Sequence, residues 1–128
     1  MYQYKEGDLG YLNMADRLTY IRSLATRYNL KESIHNSYGV NVYVYYLNPV
    51  CNSHILSWCE EQDHVRMATI LKTDKAVTLK KERLYAYGFN PEYSIRNIER
   101  RLKNYNKQAK EYMVKIKKQE IENDFKST

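Results

Sequence analysis

A chain of 128 residues and 15.4 kDa carries 21 Lys plus Arg against 15 Asp plus Glu, a formal net charge of +6. That length supports one domain with a real core and not two, and 43% hydrophobic with 28% charged residues excludes wholesale disorder. The longest uncharged apolar run, Val40 to Val50, is too short for a bilayer span, the first ten residues hold no apolar signal segment, and two cysteines make no disulfide framework; a reducing cytoplasm is the expected location.

Fourteen Tyr stand against 2 Phe and 1 Trp, beside 13 Lys and 11 Asn. A tyrosine ring with its polar tip suits surfaces that are both wet and adhesive, including nucleotide-stacking platforms. Tyr, Lys, Asn and Ile are also the residues of AT-rich codons, a bias expected of a virus, plasmid or other mobile element. Charge is divided unevenly. Residues 1–64 carry 5 basic and 7 acidic side chains, a net of −2, and residues 65–128 carry 16 and 8, a net of +8. Such asymmetry points to a polyanion-binding surface confined to one end.

Asn13 reads as an N-cap with Asp16 three residues on. Behind it Met14, Leu18, Ile21, Ala25 and Tyr28 make one apolar helix face ending near Asn29. Val40, Val42 and Val44 alternate with Asn41, Tyr43 and Tyr45 as a strand, stopped by Pro49. The tyrosines of that strand are expected to serve packing. Ser53 to Gln62 is expected to be a short helix. Val65–Leu71 and Ala76–Leu79 flank Lys72-Thr73-Asp74-Lys75 as a hairpin, with a continuous helix over 65–72 as the competing reading. Leu79–Tyr87 is expected to be helical and closed by Gly88, and Asn90-Pro91 to open a helix running from Glu92 to about Asn123. The fold class is α+β with helix dominant, in one domain: a compact body over 1–90 and a long basic helix over 91–124.

That last helix is the most informative segment. Ile95, Ile98, Leu102, Tyr105, Ala109, Tyr112 and Ile116 recur at alternating steps of 3 and 4, a heptad seam. Arg96, Arg100, Lys103, Lys107, Lys110 and Lys117 fall on the opposite side. From Arg96 to Lys118 nine basic residues meet few acids, whereas a helix built for solubility alternates signs to form i,i+4 pairs. The candidate nucleic-acid-binding residues are Arg96, Asn97, Arg100, Arg101, Lys103, Lys107 and Lys110, with affinity from phosphate contacts. Leu79–Tyr87, Gly88-Phe89-Asn90-Pro91 and the following helix also have the outline of a helix-turn-helix, which would turn Arg96, Asn97 and Arg100 toward base edges. Alternatively the seam packs on the chain's own body and the lysines simply solvate the outer face.

Cys51, His54, Cys59 and His64, spaced C-x2-H-x4-C-x4-H, have the intervals of a zinc knuckle without its glycines. A buried cysteine pair with two ordinary histidines is the favoured reading. Four scattered glycines exclude a phosphate loop or dinucleotide fingerprint, and no motif sets a nucleophile beside a base, so neither an enzyme nor a cofactor is expected. The expectation is a small accessory protein that binds DNA or RNA through its basic half. A second reading is an inhibitor of a host protein, docking by its basic, tyrosine-rich surface. A third is an assembly protein dimerising through Ile95, Ile98, Leu102, Tyr105, Tyr112 and Ile116.

Overall fold

The computed structural model describes residues 4–47, 53–75 and 82–126. A single 3-10 turn, Leu9–Tyr11, leads into α1 (Met14–Arg27), β1 (Leu30–Ser37), β2 (Val40–Leu47), β3 (His54–Cys59), β4 (Val65–Lys75), β5 (Glu82–Glu92) and α2 (Ile95–Lys126). The strands form one antiparallel sheet in chain order, β1-β2-β3-β4-β5. The fold is therefore α+β, with helix and strand nearly balanced: 44% of the described residues are helical and 40% are strand.

α1 forms where its sequence signals put it. The Asn13 side chain accepts a hydrogen bond from the Asp16 backbone N–H at 2.9 Å, satisfying one of the donors a helix start leaves open. Ile21, Leu24 and Ala25 are buried beneath it, while Met14 stays exposed. Asn29, at φ 55°, takes the left-handed conformation that ends the helix and releases the chain into β1. β1 and β2 are joined by Tyr38-Gly39, both at positive φ, the two-residue turn whose twist suits a hairpin.

Three sequence expectations are corrected. Ser53–Gln62 is not a helix; its centre is strand β3. The β2–β3 register shifts at Tyr45/Tyr46, so Ile55 and Leu56 are consecutive yet both fully buried. That consecutive pair, with Trp58 behind it, imitates a helical face. The hairpin turn is not at Lys72–Lys75 either, because β4 runs unbroken through Lys75; Ala76–Leu79 lies outside the described residues. Finally, the described part of Leu79–Tyr87 belongs to β5, and Gly88, Asn90 and Pro91 are strand residues. Pro91 stands opposite Arg66 on an edge strand, where a missing N–H is tolerated. The helix-turn-helix outline therefore fails: its first helix is a strand, and α2 starts at Ile95.

Both helices lie on one face of the sheet. Ile21, Leu24 and Tyr28 of α1 and Ile98, Leu102, Tyr105 and Ala109 of α2 join Tyr43, Tyr45, Leu56, Trp58, Met67, Leu71 and Leu84 in one core. Trp58, 1% exposed, lies against the Tyr43 ring and donates its indole N–H to the Gln62 carbonyl at 2.9 Å. Arg27 of α1 pairs with Glu99 of α2 across the top of this layer. The α2 seam is thus spent on the chain's own sheet. Of the residues expected to pair in a dimer, Ile98, Leu102 and Tyr105 are buried within one chain, whereas Ile95, Tyr112 and Ile116 are half-buried.

Candidate nucleic-acid interface

α2 has 32 residues, about 48 Å at 1.5 Å per residue. Its start is fixed by backbone contacts to the N-terminal segment. Leu9 N–H donates to the Tyr93 carbonyl at 2.8 Å, Ile95 N–H donates to the Gly7 carbonyl at 2.9 Å, and Asp8 bridges Ser94. With the seam held down, the opposite side of the rod faces outward. Arg96, Arg100, Lys103, Lys107 and Lys110 are all exposed there, and among the described residues none of the five forms an ion pair with a carboxylate. They follow one another every three or four residues, a rise of about 4.5–6 Å per step.

The first three of these cations also line a groove of about 680 Å³ between α2 and the N-terminal segment, with Lys5, Asp8 and Glu99 among its other walls. Glu99 is held by Arg27, so part of its charge is already answered. Sequence reasoning missed Lys5, which reaches the groove through the Gly7–Ile95 contact between distant parts of the chain.

Arg101 and Asn97 are placed differently. Arg101 turns inward, its Nη2 2.9 Å from Glu92 Oε1 and its Nη1 3.5 Å from the Ala68 carbonyl. Asn97 is half-buried on the flank of the rod, its backbone N–H donating to Ser94 Oγ at 3.4 Å. Nearby, burial pushes the Tyr105 phenol above its ordinary range, partly countered by Arg101.

The Cys/His cluster is not brought together as a ligand set. Cys51 lies outside the described residues. His54 stacks on Phe89 with ring centroids 4.7 Å apart, and burial lowers its imidazole below the ordinary range. His64 lies beyond the far end of β3, its Nδ1 2.8 Å from Asp63 Oδ1 and its ring tilted against Tyr93. Cys59 ends β3 as a free thiol. Among the described residues no group of three or more His, Cys, Asp and Glu is arranged to hold a metal ion, and no helix is long and apolar enough to cross a membrane.

Compared with protein-family models, curated proteins and solved structures, the chain matches none of them. The outer α2 face thus carries five exposed cations without an ion pair among the described residues, and the groove at its start also holds the carboxylates of Glu6, Asp8 and Glu99.

Proposed function

We propose that this protein binds nucleic acid through the outer face of α2 and the groove at its start. The observation that carries the reading is the unpaired row Arg96, Arg100, Lys103, Lys107 and Lys110, about 21 Å long on one helix face. Phosphate is the partner that uses such a row best, because each contact releases condensed counterions. Five contacts on duplex DNA correspond to a slope of about −4 to −5 in log K against log salt. The site is read as sequence-independent: Asn97, which would pair with a base edge, is half-buried, and no helix-turn-helix positions it.

The test is a triple variant, Arg100→Glu with Lys103→Glu and Lys107→Glu. It should lose retention on heparin and duplex DNA while keeping its circular dichroism spectrum. Unchanged retention makes the row ordinary solvated surface. A wild-type protein that shifts neither DNA nor RNA on a gel turns the same face into a docking site for an acidic protein partner.

A further inference from the structure

The sheet has a second face, turned away from both helices. Its composition follows from register. Tyr45, Leu56, Met67 and Leu71 point to the core, so Val44, Tyr46, Ser57, Arg66, Ala68, Ile70, Lys72, Tyr85, Tyr87 and Phe89 point the other way.

This outer face is rich in rings. Tyr46 meets His54 edge-on at 6.1 Å, His54 stacks on Phe89 at 4.7 Å, and Tyr85 and Tyr87 follow along β5 with centroids 6.4 Å apart. The Tyr46–His54–Phe89 part is half-buried and braced, whereas Tyr87 (37% exposed) and Ile70 (53%) stand out from the surface beside it. The face is also cationic. Arg66 and Lys72 are exposed on it, Lys31 and His35 extend it on β1, and Lys72 Nζ sits 5.0 Å from the Tyr87 ring centroid. Of the acids on these strands, Glu32 and Glu92 fall on the helix side, while Asp74, opposite Arg83 in the β4–β5 register, follows the alternation of Lys72.

We infer that this outer sheet face is a base-stacking platform for single-stranded nucleic acid, with Tyr87 and Tyr85 presenting rings beside the braced Phe89, and Lys72 and Arg66 taking phosphates. The physics favours that partner over a duplex, because bases in a duplex hide their π-faces and a single strand exposes them. A lysine already resting on the Tyr87 ring is displaced by an incoming base and left beside its phosphate, so ring and charge serve one nucleotide together. The proposal shares its partner class with the α2 reading but uses a different surface, on the opposite side of the sheet.

Labelled dT12, rU12 and a 12-base-pair duplex, each titrated by fluorescence anisotropy, separate the two surfaces. Tyr87→Ala with Lys72→Ala should weaken dT12 and rU12 binding by about tenfold or more, stacking being worth about 1–3 kcal/mol per base, and leave duplex binding alone. Tyr87→Phe, which keeps the ring, should retain single-strand affinity. The α2 triple-Glu variant should do the reverse, losing the duplex and keeping most single-strand binding. Wild-type single-strand affinity in the Tyr87→Ala, Lys72→Ala variant overturns the platform and leaves the α2 reading standing; intact duplex binding in the triple-Glu variant overturns the α2 reading alone. Ultraviolet crosslinking of wild-type protein to rU12 needs no variant at all: adducts within residues 82–92 support the platform, and adducts confined to α2 refute it.

Discussion

Arg101 of α2 is held by Glu92 of β5, Nη2 to Oε1 at 2.9 Å, in a pair that is 29% and 14% exposed and sits over the Ala68 carbonyl. Its neighbour Arg100 lies exposed on the outer face, where no described carboxylate answers it. Two arginines adjacent in sequence thus do different work. One ties the helix to the sheet, and the other meets solvent.

Arg100→Gln and Arg101→Gln therefore form a matched pair, removing the same charge from adjoining positions. Arg101→Gln should lower unfolding stability by about 1–2 kcal/mol, because it strands a mostly buried Glu92. It should elute from heparin where wild type does. Arg100→Gln should keep wild-type stability within about 0.5 kcal/mol and elute at lower salt. Urea titration and a salt gradient read both effects; equal behaviour of the two variants would refute the division.

Arg101 also shows how far the sequence reaches. The rod, its greasy edge and its cationic edge are properties of one helix, so Arg96 through Lys110 were legible from spacing alone. Which flank residue is claimed by the body depends on Glu92, and Glu92 sits on a strand that reads as helix. Leu84 and Ala86 followed by Gly88 and Pro91 look like a helix end and a new helix start. In the fold Gly88 instead lets Thr69 approach closely, and Pro91 is tolerated on an edge. β1 escaped notice because the residues its register puts on the helix side, Leu30, Glu32, Ile34 and Asn36, mix polar with apolar and give no strand signal. The outer-face ring row was invisible for a similar reason: it is assembled from β2, β3 and β5 by registers that no local pattern encodes.

Gly88 gives a sharp test of that strand assignment. It sits at φ 70°, and a Cβ there would be driven into Thr69 Oγ1. Gly88→Ala should destabilise the fold by about 1–3 kcal/mol, combining left-handed strain with the clash. Adding Thr69→Ala should recover only part of the loss, since it clears the space and leaves the strain. Full recovery in the double variant, measured by thermal unfolding, would show that φ contributes nothing; no loss in the single variant would remove Gly88 from β5.

Stability should fall on acidification in two stages. The His54 imidazole is held below its ordinary range by burial first and by His35 second, so the unfolded chain binds the proton more readily. Its contribution is complete above the unfolded value near 6.5 and declines as pH falls through it. Asp63 is held below the usual carboxylate range by hydrogen bonds from His64 and then Tyr4, the latter at 2.7 Å. Its contribution is present above about pH 4 and fades below that. His54→Phe should flatten the first stage and keep the stacking on Phe89, and Asp63→Asn should flatten the second. Chemical denaturation at intervals between pH 3 and 8 would reveal them, and an unaltered upper stage in His54→Phe would assign it to another group.

Apolar residues of α2 stand in two different settings. Leu102, on the seam, is 1% exposed between α2 and the sheet, whereas Val114, off the seam, is 59% exposed. Leu102→Ala removes buried methyl groups and leaves a hole that helix and sheet cannot both close, so about 2–4 kcal/mol should be lost. Val114→Ala removes apolar surface that water already touches, and alanine is the better helix former, so the change should stay within about 0.5 kcal/mol of zero. Urea midpoints at two protein concentrations, tenfold apart, decide between a helix that ends its structural work near Tyr112 and one whose distal part is buried by a second copy. A large loss in Val114→Ala, growing as the protein is diluted, would mean that a second copy covers the distal surface in solution.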